Sequence, residues 1–335
     1  MKDFRIFITG GAGYVGARLV PALLEKGYKV TVYDLMYFGN EFLPKDNPNL
    51  TLIKGDIRDQ NKLKTDSKNH DIFLHLACIS NDTSFALDEK LSTTINYDAF
   101  KPMVEIAKNN GIQRFIYAST SSVYGISEKK NVTEEHPLVP LTLYNKYKGM
   151  CEPHLLELTD NNFYGVIFRP ATVCGYSPRQ RLDLSVNILT NFAVNKKFIK
   201  VFGGDQLRPN LHILDYCDVV ELLIKADKEK IRNQIFNVGY QNLSILEIAQ
   251  KVKKVVQNEF PKIGEINIEM HESDDKRSYH INSDKIKTIL NFQPNHSIED
   301  AISELCLAFK NNLLPNSFDN DNYFNVKKLQ NLQVK

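Results

Sequence analysis

The stretch TGGAGYVG, Thr9 to Gly16, limits what this chain can fold into more than any other segment. It joins a strand-like run, FRIFIT, to an amphipathic segment of helical length, ARLVPALLEKG, which Gly27 ends. Gly10, Gly13 and Gly16 satisfy a GxxGxxG spacing, and Gly11, Gly13 and Gly16 a GxGxxG spacing. Such a turn lets backbone N–H groups at the helix N-terminus, those of Tyr14 and Val15, approach a pyrophosphate. Downstream, the β-rich runs YKVTVY, LTLI, DIFLHL, RFIYA and YGVIFR alternate with helical segments such as TINYDAFKPMVEIAKNNG, which Gly111 ends. This alternation predicts an α/β fold built on a doubly wound, Rossmann-type parallel sheet.

After about residue 170 the pattern is less regular and richer in Asn, Gln and Arg. KFIKVF, QIFNVG and EINIEM still read as strands, between helices such as SILEIAQKVKKVVQ and SIEDAISELCLAFK. We therefore expect residues 1–170, with an interleaved stretch near 205–240, to form the nucleotide-binding domain. Residues 171–315 would be mainly a smaller C-terminal α/β substrate-binding lobe. From Asn311 the chain is Asn-rich and weakly periodic, and its last part, 316–335, reads as a surface arm or frayed end.

The second strand selects the nucleotide. It ends in Tyr33-Asp34, eighteen residues after Gly16. An acid there accepts hydrogen bonds from both adenosine ribose hydroxyls and repels a 2′-phosphate. No Arg or Lys follows until Lys45, so NAD is expected rather than NADP. The run GDIRD then places Asp56 and Ile57 after the third strand, where they would meet the adenine edge.

Acid–base chemistry is signalled by YNKYK, Tyr144 to Lys148. Helical positions i and i+4 share a face, so Tyr144 and Lys148 can point into one cleft. A phenol titrates near pH ~10 in water, and an ammonium beside it, together with a positive nicotinamide ring, would favour tyrosinate. Tyr147 lacks such a partner, because position 151 is a cysteine. Between the fifth strand and this helix lies STSSVYG, Ser119 to Gly125, rich in hydroxyls and devoid of carboxylates.

Composition narrows the classes further. Lys and Arg total 42 against 40 Asp and Glu, so a net charge of +2 gives no field-driven affinity for nucleic acid or membrane. The six-residue apolar run near the N-terminus is too short for a signal-peptide core, and no apolar segment is long enough to span a bilayer. Five scattered cysteines without a CxxC pair suit a reducing cytoplasm and argue against a metal site.

Taken together, TGGAGYVG, Asp34, GDIRD, HLAC (with Leu76 and Ala77), Asn96, ASTSSVYG, YNKYK with Glu152, RPATVCGYSPR, GGDQLRPNLHILD, IFNVG and DDKRSYHINSDKI resemble the extended short-chain dehydrogenase/reductases that act on nucleotide sugars. The resemblance runs from Thr9 to about residue 310. It implies tightly bound NAD, a nucleotide-sugar substrate and a homodimer. It casts Tyr144 as base, Lys148 as the residue on the nicotinamide ribose, and Thr120 as holder of the reacting hydroxyl. Leu76 and Ala77 would line the cofactor. Asn187, Arg208 and Arg277 would grip the nucleotide diphosphate, a role suited to guanidinium. Many relatives carry Asn where this chain has Thr172; Arg179 and Arg181 could compensate for the lost diphosphate contact. Ser80 and Asn81, in the polar loop CISNDTS, would face the sugar.

Relatives that remove water from the sugar carry an Asp-Glu pair directly after the threonine. Here Ser121 and Ser122 stand there, and alcohols are too weakly acidic for that work near neutral pH. A 4,6-dehydratase is thus disfavoured, which leaves C4 oxidation or, as the alternative, C4 epimerisation. A non-catalytic NAD sensor would be expected to lack the Tyr144–Lys148 pair. The runs LACISND and RPATVCGYSPRQRLDLSVN are most similar to the GDP-manno-heptose 4-dehydrogenases of capsule biosynthesis, which favours a GDP-sugar.

Overall fold

The computed structural model describes residues 4–127, 129, 131–273 and 278–332. Arg277 lies outside the described residues. The first half holds six strands, with helices between all of them except β2 and β3, which a loop joins: β1 Arg5–Thr9, β2 Lys29–Asp34, β3 Leu50–Lys54, β4 Ile72–His75, β5 Arg114–Ala118 and β6 Tyr164–Pro170. The second half adds β7 Thr172–Cys174, β8 Phe198–Phe202, β9 Leu207–His212, β10 Ile235–Val238, β11 Gln241–Ser244 and β12 Asn267–His271.

Seven strands form one parallel sheet in the order β10-β6-β5-β4-β1-β2-β3, a Rossmann-type α/β fold. Its inner strands are apolar along their length because helices cover both faces. Period-two alternation separates two cores. Ile6, Ile8, Val30, Val32 and Leu74 face a layer containing Leu19 and Leu23 of the helix Gly16–Glu25 and Leu223 of the helix Ile213–Lys225. Phe7, Phe73 and Phe115 face the opposite layer, with Met103 and Val104 of Phe100–Asn109 and Leu155 of Leu143–Glu157.

The smaller lobe packs three helices, Ser185–Lys196, Ile245–Glu259 and Ile298–Lys310, around Val186, Ile199, Val252 and Ile302. Two of them start at capping boxes, Ser244 with Glu247 and Ser297 with Asp300, so their first N–H groups are satisfied locally. Within 205–240 the chain divides: β9 joins a three-stranded sheet with β7 and β11, whereas β10 is an edge strand of the large sheet. Among the described residues no helix is long and apolar enough to cross a membrane.

The tail corrects the expectation of a surface arm. Leu314 and Tyr323 are buried against Leu182, Leu305 and Ala308, and the Leu182 N–H donates to the Tyr323 carbonyl at 2.9 Å. A last helix, Asn325–Leu332, follows, and it packs beside residues 82–85.

Candidate active site

All the inner strands deliver their carboxyl ends to one side, where the order turns from β1 to β4, the place where α/β sheets bind ligands. A cavity of about 900 Å³ opens there and runs from Gly10–Gly16 past Asp34, Asp56 and Ile57 to Thr120, Tyr144 and Lys148. The glycine turn is close-packed as well as bent. Gly10 has φ +78°, and a Cβ on it would stand 2.5 Å from the Ala77 nitrogen; one on Gly16 would stand 2.1 Å from the Gly11 carbonyl oxygen. We expect Gly16→Ala to lose on the order of 3 kcal/mol of stability together with dinucleotide binding, read by thermal melting and by cofactor titration. Asp34 accepts from the Ala12 and Met36 N–H groups at 3.0 and 2.8 Å, one per carboxylate oxygen. Burial pushes its carboxyl above the usual range, against those two bonds. Asp56 is held by Arg58 at 2.6 Å.

At the other end Thr120, extended at φ −157°, starts a short 3₁₀ turn, Ser121–Tyr124. Ser122 Oγ lies 2.8 Å from Thr120 Oγ1 and donates to Asn145 Oδ1. A serine has one hydroxyl proton, so Thr120 is the donor to Ser122. Thr120 Oγ1 also accepts from the Ser122 N–H at 3.2 Å, which leaves it one unused lone pair. Tyr144 shares the cavity wall with Lys148, as the i, i+4 spacing predicts. Their coupling differs from the expectation. The Lys148 ammonium donates to the Ala118 carbonyl and lies 4.7 Å from the centre of the Tyr117 ring. Burial raises the Tyr144 phenol well above its ordinary value, with Cys78 and Asp82 adding to the rise, and the cation opposing them is Arg181.

Residues 6–239 match the NAD dependent epimerase/dehydratase family. The chain belongs to that family. It is 26% identical to dTDP-glucose 4,6-dehydratase of Streptomyces niveus, over 92% of this chain and 93% of that one. It is 28% identical to UDP-N-acetyl-alpha-D-glucosaminuronate decarboxylase of Bacillus cytotoxicus, over 91% and 98%. The fold matches the solved structure of UDP-N-acetylglucosamine 4-epimerase from Methanobrevibacter ruminantium with a TM-score of 0.82 at 23% identity, over 93% and 100%. The chain is thus an NAD-dependent enzyme of nucleotide-sugar modification.

The epimerase/dehydratase site fits NAD on its own geometry. The glycine cradle leaves no room for side chains, Asp34 keeps a free lone pair on each oxygen, and Arg179 is buried with Nε and Nη1 lacking a partner among the described residues. Gly10, Gly13, Tyr14, Val15, Asp34, Asp56, Ile57, Leu76, Ala77 and Lys148 all line the cavity and would hold the dinucleotide. Ser80, Asn81, Thr172, Arg179 and Arg208 line it too, from the remaining sides. Asn187 does not reach it. Fully buried, it accepts from the Gly175 N–H at 3.1 Å and donates to the Tyr14 hydroxyl and the Arg181 carbonyl at 3.1 and 2.9 Å. Asn81 is committed as well, because its side chain caps the helix Asp82–Phe85 through the Ser84 N–H.

Several contributors had no structural role assigned from the sequence, Glu152 among them although it was part of the resemblance. Beneath the site Glu152 takes both ends of the Arg169 guanidinium at 3.0 and 2.6 Å and the Ser119 hydroxyl at 2.6 Å. Arg169 also donates to the Tyr124 hydroxyl, which donates to Asn237. Glu152 follows Tyr144 and Lys148 at the next i+4 step, and that periodicity was a usable signal. Asp183 pairs with Arg181 at 2.8 Å, and Asn325 reaches in from the tail.

Proposed function

We propose that this enzyme oxidises the C4 hydroxyl of a nucleotide sugar to the 4-keto sugar, and that its substrate is GDP-D-glycero-alpha-D-manno-heptose in the assembly of bacterial capsular or surface polysaccharide. One observation carries the choice of reaction: Thr120 and Tyr144 share a cavity in which the two positions directly after Thr120 are the alcohols Ser121 and Ser122, not carboxylates. NAD, when bound, supplies the hydride acceptor. Thr120 borders the reacting hydroxyl in the same cavity, and Tyr144 takes that hydroxyl's single proton. Lys148 anchors the nicotinamide ribose, and Arg208 grips the diphosphate. Ser121 is buried, and the Ser122 proton is engaged by Asn145, so neither drives loss of water. The heptose and the GDP moiety rest on the likeness of LACISND and RPATVCGYSPRQRLDLSVN to GDP-manno-heptose 4-dehydrogenases, and the homodimer on the resemblance to the wider family.

Epimerisation at C4 is the second reading, favoured by the 4-epimerase among the similar structures and open to the same residues. The test is incubation with UDP-, dTDP- and GDP-sugars, GDP-heptose included, in deuterated water, followed by mass spectrometry. Oxidation removes two hydrogens from the sugar. An isomer of unchanged mass would establish the epimerase instead, and loss of water with uptake of deuterium would overturn both.

A further inference from the structure

The tail reaches the site at the start of its last helix. Asn325, the first residue of the last helix, is 6% exposed and makes three contacts there. Its Oδ1 accepts from Arg179 Nη2 at 2.6 Å, its Nδ2 donates to Ser80 Oγ at 3.0 Å, and its N–H donates to Asp183 Oδ2 at 3.0 Å. Arg181 closes the ring by donating to Ser80 Oγ at 3.1 Å and to both oxygens of Asp183. Segments far apart in sequence are thereby tied together at one wall of the cavity.

The charges in this ring are unequal. Asp183 neutralises Arg181, whereas Arg179 has, among the described residues, only the neutral amide of Asn325 as a hydrogen-bond partner. Arg179 is 5% exposed, its guanidinium is stacked 3.6 Å from the centre of the Phe38 ring, and its Nε and Nη1 are without partners there. Asp183 and Asp34 are the acids that act on it, yet Asp183 is engaged by Arg181 and the Asn325 N–H, and both Asp34 oxygens already accept backbone N–H groups. A buried cation with vacant donors is costly unless a ligand supplies the counter-charge. The anion that reaches a cleft between a glycine-rich turn and a guanidinium is a diphosphate.

We propose that the C-terminal segment completes a diphosphate-binding site: Arg179 binds the anion, and Asn325 is a positioning residue that holds Arg179 in place. Phe38, which stacks on Arg179 and lies four residues after Asp34, puts it in the cofactor half of the cavity, so the diphosphate is that of NAD. The nucleotide sugar carries the same group, and the test separates the two sources. This inference depends on family membership alone, not on the sugar or the net reaction.

Calorimetric titration of the full-length protein with NAD and, separately, with GDP and UDP reads binding without turnover. Arg179→Ala is expected to weaken NAD about tenfold or more, and Asn325→Ala by a smaller factor in the same direction. In the Arg179→Ala background, Asn325→Ala should add nothing, since its role is exerted through Arg179. The same pattern seen with GDP or UDP in place of NAD would keep the anion site and reassign its diphosphate to the substrate. Unchanged binding of all three ligands, or additive effects of the two substitutions, would overturn the proposal. Hydrogen exchange of the unmutated protein supplies a reading that needs no variant. Ligand binding should slow exchange of amides 325–332, and a tail that exchanges equally with and without ligand contradicts its part in the site.

Discussion

Replacing Tyr144 by phenylalanine is expected to lower turnover by about 10²–10⁴-fold and to leave NAD binding intact. The substitution removes one oxygen from a cavity wall whose shape is set by other groups. The glycine turn, Asp34 and Lys148 are untouched by it, so the dinucleotide site survives. What disappears is the acceptor for the hydroxyl proton. The pH dependence follows from the burial of the phenol, which raises its pKa above the ordinary value and leaves little of the base form at neutral pH. The kcat/KM should therefore rise with pH through the neutral and mildly alkaline range in the unmutated enzyme. A rate that fell over that interval, or full activity in the Tyr144→Phe variant, would remove Tyr144 from the role of base.

The second large effect is on stability. Glu152→Ala should destabilise the fold by about 3–5 kcal/mol, because it strands the Arg169 guanidinium in the interior. Both side chains of this pair are 3% exposed, and the two bonds between them are side-on. The same carboxylate accepts from Ser119, the residue before Thr120, so its loss also frees the loop that presents the reacting-hydroxyl site. Equilibrium denaturation by urea measures the first consequence. A change below about 1 kcal/mol, the range of exposed pairs, would show that water reaches Arg169 and that the network is not sealed.

How far the sequence could be read depended on the range over which each feature acts. The first strand, the glycine turn and the first helix are local, and their pattern predicted the elements that form. Asp34 was equally accessible, because a strand end followed by an acid fixes its own place relative to the turn. Tyr144 and Lys148 were legible as an i, i+4 pair, but the direction of the Lys148 ammonium was not. That direction is set by the Ala118 carbonyl at the end of β5, thirty residues earlier. Asn187 shows the same limit, since the Tyr14 hydroxyl that takes its amide lies 173 residues away. The tail departed from expectation for a related reason. Its weak periodicity reflects burial of single residues, Leu314, Tyr323 and Asn325, in grooves built by distant segments. The contact between Asn325 and Ser80 spans 245 residues and has no local signature at all.

The fate of the C4 hydrogen decides between net oxidation and epimerisation. A nucleotide sugar bearing deuterium at C4 should be turned over with NAD while the sugar and the cofactor are both analysed by mass spectrometry. Net C4 oxidation predicts that the deuterium appears in the reduced cofactor, which accumulates with the 4-keto sugar in equal amounts. Deuterium that remains at C4 of an epimerised sugar, with no net reduced cofactor, would contradict it.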